Sequence, residues 1–148
     1  MARTYLYRLL KSSWGIWIKI TAESMPLAGY SGKTTQAAKG LWLSVEPSWL
    51  LSADRLVFLI IGLRLVENEM QPIVQERGPL VVHVTDLQIA PCDYQDEGLA
   101  CAIAGWMAED YHLNYVQPPV YFDRERNRYQ FTFPAIADPS VSSLHPLP

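Results

Sequence analysis

Sulfur is scarce in this chain, whose 148 residues include only two cysteines, Cys92 and Cys101. Two are too few for a disulfide framework, and they do not form a Cys-x-x-Cys pair. Charge is also thin: Asp, Glu, Lys and Arg make up 18% of the residues, with a net charge of −3. A general nucleic-acid binder needs a basic surface to replace phosphate counterions, and the overall balance does not supply one. No apolar run approaches the roughly 20 residues of a membrane-spanning helix. The longest, Leu56 to Val66, is short and contains Arg64. The start, Met1-Ala2-Arg3-Thr4-Tyr5-Leu6-Tyr7-Arg8, lacks the apolar region of a secretory signal. The expected compartment is therefore the cytoplasm, with reduced thiols and no membrane partner. No internal repeat is present.

What is abundant is core material. Hydrophobic residues make up 49% of the chain, which excludes a disordered tail or a coiled coil. The length suits one domain, large enough to bury roughly 70% of the surface of its unfolded chain. Residues 1–133 are expected to form that domain, and residues 134–148 a Pro-rich extension with Pro134, Pro139, Pro146 and Pro148.

Local patterns predict the elements. Gly15 to Thr21 is β-branched and aromatic, as a strand requires, and Tyr5 to Leu10 fits an earlier strand across the Lys11-Ser12-Ser13 turn. Residues 24–40, with Pro26, Gly29, Gly32 and Gly40, predict a long polar loop. Leu41 to Val45 is a short strand stopped at Pro47. Ser52-Ala53-Asp54 reads as a break, and Arg55 to Val66 as a buried strand. Glu67 to Arg77 holds helix formers, with Pro72 tolerated only in the first turn, and Gly78-Pro79 stops it. Leu80 to Val84 is a strand, extending towards Ile89.

Leu99, Ala102, Ile103, Trp106 and Met107 recur at helical spacing behind Asp96 as the N-cap. Val120–Phe122 and Tyr129–Phe133 predict a hairpin around 123–128, where Asn127 tolerates a left-handed conformation. The expected fold class is α+β, a mostly antiparallel sheet of at least four strands with helices on one face, plus the C-terminal hairpin.

Three colinear stretches resemble one known domain. Leu41-Trp42-Leu43-Ser44-Val45-Glu46-Pro47, Pro79-Leu80-Val81-Val82-His83-Val84 and Asp93-Tyr94-Gln95-Asp96-Glu97-Gly98-Leu99-Ala100-Cys101-Ala102-Ile103-Ala104 resemble strand and strand-to-helix segments of domain IV of bacterial translation elongation factor G. The resemblance spans roughly residues 5–112. It implies a fold like the second domain of ribosomal protein S5, with an unusual left-handed βαβ crossover. The family's glycine-rich tip loop is absent. That stretch here reads Lys33-Thr34-Thr35-Gln36-Ala37-Ala38-Lys39-Gly40. The resemblance thus carries the fold across without the family's tip-loop contacts.

Several groupings invite a chemical reading, and each also has a plainer one. Asp93, Asp96 and Glu97 could hold a cation or face a basic partner, but match no calcium-loop spacing and suit a helix N-terminus. Gly32-Lys33-Thr34 echoes a phosphate loop but lacks its first glycine and its leading strand. His83, His112 and His145 lack zinc-ligand spacing. Cys92 with His83 has no local nucleophile motif, and a buried or half-buried structural role suits Cys92 and Cys101. Arg124, Arg126 and Arg128 among Tyr121, Phe122, Tyr129 and Phe131 resemble an aromatic and basic contact surface, or a hairpin tip kept soluble by charge. Trp106 reads as core, whereas Trp14, Trp17, Trp42 and Trp49 cannot all be, and an exposed tryptophan marks a binding hot spot.

No catalytic residue, metal or cofactor is expected. The expected function is binding of another macromolecule, first a protein, as in a small immunity-type or accessory protein. A ribosome- or RNA-associated factor is the second reading. A small hydrolase or transferase using His83, Cys92 and the Asp93–Glu97 carboxylates is the third. Contact is expected through the 29–40 loop (Lys33, Thr34), the 91–97 loop (Asp93, Tyr94, Asp96, Glu97) and the hairpin tip (Arg124, Arg126, Arg128). A homodimer across an unpaired edge strand, such as the last hairpin, is also open.

Overall fold

The computed structural model describes residues 2–134. The Pro-rich extension, apart from Pro134, and His145 with it, lie outside the described residues. The chain is an α+β fold. Strands β1 (Arg3–Leu10), β2 (Gly15–Pro26), β3 (Thr35–Ala38), β4 (Leu41–Val45) and β5 (Leu80–Ile89) form one sheet in the order β1-β2-β5-β4-β3. Only the central β4–β5 pairing is parallel; the others are antiparallel. Between β4 and β5 the chain makes a 3-10 turn (Ser48–Leu51) and two helices, α1 (Ala53–Leu65) and α2 (Glu67–Arg77). Helix α3 (Gly98–Asp110) follows β5, and a separate hairpin, β6 (Val120–Asp123) and β7 (Arg128–Phe131), closes the described chain.

The stretch Arg55 to Val66, expected as a strand, is corrected: Arg55 to Leu65 lie in helix α1, and Val66 is its C-cap. Ser52 caps it, its hydroxyl accepting from the Arg55 N–H, and Asp54 sits in its first turn. A short apolar run buried all round has no periodicity to separate helix from strand. Residues 24–40 are also less of a loop than expected. β2 continues to Pro26, and β3 returns at Thr35–Ala38. Pro72 lies inside α2 rather than in its first turn, with its ring on the exposed side. Glu97, not Asp96, is the N-cap residue of α3, and it makes no side-chain capping bond.

Alternation along the strands separates the two sheet faces. Tyr7, Ile16, Ile18, Ile20, Leu41, Leu43, Val82 and Val84 are buried towards the helices, with α3 packed on β1 and β2. Every residue of α3 from Gly98 to Met107 is buried, and Trp106 is core as expected. Its indole N–H donates to the Arg3 carbonyl at 2.8 Å. Small residues permit this. A Cβ at Gly98 would lie 2.9 Å from side-chain atoms of Ile16 and Ile18. One at Gly62 of α1 would collide with Ile103 and the Ala100 carbonyl of α3.

Candidate functional site

The loop after β5 and the last hairpin form one clasp. Asp93 accepts from the Gly15 N–H through Oδ1 at 2.8 Å, and its carbonyl accepts from the Trp17 N–H at 2.8 Å. Glu97 pairs with Arg128 at 2.6 Å. Tyr129 is fully buried, its hydroxyl donating to the Trp14 carbonyl at 2.7 Å and accepting from the Lys11 N–H at 2.9 Å. Trp14 meets Phe122 and Tyr129 edge-on, and its N–H donates to Asn127 Oδ1 at 3.1 Å. Asn127 takes the expected left-handed conformation, with φ of 53°.

A second knot joins the start of α1 to the same loop. Tyr94 donates to Asp96 Oδ1 at 2.6 Å, and Arg55 reaches that oxygen at 3.4 Å. Arg55 also donates to the Trp49 carbonyl at 3.1 Å and lies over the Trp49 ring, while Trp49 meets Tyr94 edge-on. Burial, then the bond to Asp96, drives the Tyr94 phenol pKa well above its ordinary range. Of the expected contact residues, Asp93, Tyr94, Asp96, Glu97 and Arg128 thus all have partners within the fold. At the hairpin tip Asp123 accepts from the Glu125 and Arg126 N–H groups and pairs loosely with the Arg126 side chain at 3.7 Å. Arg124 and Arg126 are exposed. Lys33 and Thr34 border a small cleft of about 120 Å³, floored by Leu43, Val45, Leu51 and Leu56. The 91–97 loop and the hairpin meet through Glu97–Arg128 and Gln95–Tyr129, and the cleft beside Lys33 and Thr34 is lined by none of their residues.

The residues weighed for catalysis are arranged otherwise. His83, on β5, bonds Glu46 at 3.1 Å and meets the Tyr30 ring. Ser44, opposite His83 in the β4–β5 register, is buried and bonded to the Tyr30 hydroxyl at 2.7 Å. Cys92 is exposed in the turn after β5, against the expectation of burial, because the tight Ala90–Asp93 turn carries it outward. Cys101 is buried, and desolvation pushes its thiol up to about 11. Among the described residues no three His, Cys, Asp or Glu side chains are grouped as metal ligands.

The surface that single-residue motifs missed is the sheet face turned away from the helices. Over β4 and β5 the Tyr30 loop covers it. Over β1 and β2 nothing among the described elements does. There Trp17 stands opposite Arg8, with Leu6 and Leu10 at the diagonal positions of β1. Leu6 is 40% exposed and Leu10 75% exposed. A cleft of about 420 Å³ lies beside Leu10, Gly15 and Trp17, bordered by Arg8 and Asp93. Lys19, Asp86 and Gln88 continue the face as an exposed polar rim. The signal was present as the alternation of Thr4, Leu6, Arg8 and Leu10, in which leucines occupy the solvent-facing phase. No family model, curated protein or solved structure matches this chain.

Proposed function

We propose that this chain is a protein-binding module whose contact surface is the uncovered face of β1 and β2. The observation that carries this reading is Trp17 flanked by the exposed Leu6 and Leu10. Exposed leucines clustered around a half-buried tryptophan make an apolar centre, and Lys19, Asp86 and Gln88 give it a polar rim. The rim carries both signs of charge, which suits a protein partner better than a phosphate backbone. The reading is of non-catalytic binding, of the immunity or accessory kind. Lys33, Thr34, Arg124 and Arg126 remain candidates for peripheral contacts. The reading keeps the chain in the cytoplasm, where the exposed Cys92 stays reduced. Among the described residues no helix is long and apolar enough to cross a membrane.

The test is retention of a stoichiometric protein partner by the tagged chain in its native host. The unaltered chain is expected to retain one, while Trp17→Ala and Leu10→Glu, each verified as folded by circular dichroism, are expected to lose it. Retention by both variants, or no partner for the unaltered chain, would sink the reading.

A second reading is a ribosome-associated factor with a domain like domain IV of elongation factor G. The parallel β4–β5 pair joined through helices, followed by the β5-to-α3 junction, favours it. Sucrose-gradient sedimentation at low salt separates the two, since a ribosome-bound chain would travel with the ribosomal fractions.

A further inference from the structure

The outer edge of β1 carries its own information. In an antiparallel ladder, residues alternate between pairs that exchange both hydrogen bonds and pairs that exchange none. On β2 the Trp17 N–H donates to Asp93, the Trp17 carbonyl accepts from the Ala90 N–H, and the Thr21 carbonyl accepts from Thr85 Oγ1. Trp17 and Thr21 therefore face β5, and Ile16, Ile18, Ile20 and Ala22 face β1. Their partners on β1 are Leu9, Tyr7, Tyr5 and Arg3. It follows that the backbone groups of Thr4, Leu6, Arg8 and Leu10 point away from the sheet. All four residues are exposed, and among the described residues no hydrogen bond reaches these outward groups.

The sheet's other edge is protected. β3 has 4 residues and a register shift between Gln36 and Ala38, both common ways of blunting an edge. β1 has 8 residues, no proline and an unbroken register with β2.

We infer that β1 pairs with β1 of a second copy of this chain, antiparallel across a two-fold axis at Tyr7. The free positions select this register. With the axis at Tyr7, Thr4 stands opposite Leu10 of the second copy and Leu6 opposite Arg8, so every outward donor and acceptor is used. An axis at Arg8 would set the two arginines against each other and leave Thr4 unpaired. An axis at Leu6 would leave Leu10 without an outward-facing partner from the strand. Between Thr4 and Leu10 the Tyr7 register places no like charges opposite each other, with Arg3 and Lys11 meeting only at the ends of the seam, and it joins the Leu6 and Leu10 stripes of the two copies on one continuous face. A seam of one strand pair buries little area, which suits a weak and reversible dimer.

Sedimentation velocity of the full chain across micromolar concentrations tests this. The unaltered chain is expected to pass reversibly from monomer to dimer. Leu6→Lys sets a cation opposite Arg8 on both sides of the axis and is expected to weaken the dimer about tenfold or more. Leu6→Glu, which meets Arg8 with opposite charge, is expected to leave it within about threefold of the unaltered chain. Leu6→Lys combined with Arg8→Glu is expected to restore it, and Leu6→Glu combined with Arg8→Glu to abolish it. This last pair keeps the test open if Leu6→Lys fails to fold. A monomer at every concentration, or a dimer indifferent to these charge exchanges, overturns the inference. Trp17→Ala lies off the seam and is expected to dimerise normally, so loss of a protein partner and loss of self-pairing are read separately.

Discussion

Gln95 grips Tyr129 by both of its backbone groups. Its Nε2 donates to the Tyr129 carbonyl at 2.7 Å, and its Oε1 accepts from the Tyr129 N–H at 2.9 Å. The side chain thereby acts as a one-residue strand beside β7 and holds the hairpin against the loop that precedes α3. Gln95→Ala leaves both backbone groups without their partner and is expected to cost about 1–3 kcal/mol in urea denaturation. Hydrogen exchange should rise at Arg128–Phe131 and stay unchanged in β5. Equal loosening of the whole sheet would show that the hairpin is not clasped in this way.

Gly62 sets the distance between α1 and α3. Alanine is the better helix former by about 1 kcal/mol, so propensity alone favours Gly62→Ala. The added methyl, however, would collide with Ile103 and with the Ala100 carbonyl, which belongs to a buried helix and cannot swing aside. Overpacking is expected to win, for a net loss of about 1–3 kcal/mol in thermal or urea unfolding. A stabilised variant would mean that the helices can separate freely.

The two thiols should behave differently. Cys92 is exposed and Cys101 buried, so a thiol reagent at mild pH is expected to label Cys92 rapidly and Cys101 only on unfolding. Burial raises Cys101 from 9.0 to about 11. Across that window the folded chain holds a proton that the unfolded chain has released. Stability is therefore full below about pH 9 and falls as pH rises towards 11, by on the order of 2–3 kcal/mol from this group. Burial also raises Tyr7 and Tyr115, which deepens the alkaline loss. Urea midpoints measured between pH 8 and 11 should fall, and a flat profile would contradict the buried thiol.

Leu10 offers a contrast between stability and binding. It is 75% exposed, so Leu10→Ser is expected to change unfolding free energy by less than about 0.5 kcal/mol. Partner retention, by contrast, should drop. A variant that binds normally would place the contact elsewhere.

Much of the fold was legible in residue patterns. The hairpin around Asn127, the α3 stripe through Trp106 and the strand Leu80–Ile89 follow directly from spacing and turn chemistry. Helix α1 was not, because Val57, Leu59, Ile60, Ile61 and Leu63 are buried on several sides and leave no polar phase to read. The overlooked sign was Ser52, whose capping role resembles a loop break when only composition is weighed. The site was legible only in part. Asp93, Asp96 and Glu97 looked like a surface for a partner because a sequence does not reveal that Gly15, Arg55 and Arg128 arrive to meet them. The role proposed for Trp17 rests on which sheet face the helices cover, and that is decided by pairing across the whole chain.

The Trp14–Tyr129 clasp has a kinetic consequence. Its hydrogen bonds join residues 113 to 118 positions apart. A chain emerging from the ribosome can pair β1 with β2 early, yet it cannot shut this clasp until Tyr129 has been made. Loops of that length close late and slowly. In the interval Trp14 lacks Phe122, Asn127 and Tyr129, and the surface they would cover is open to aggregation or chaperone capture.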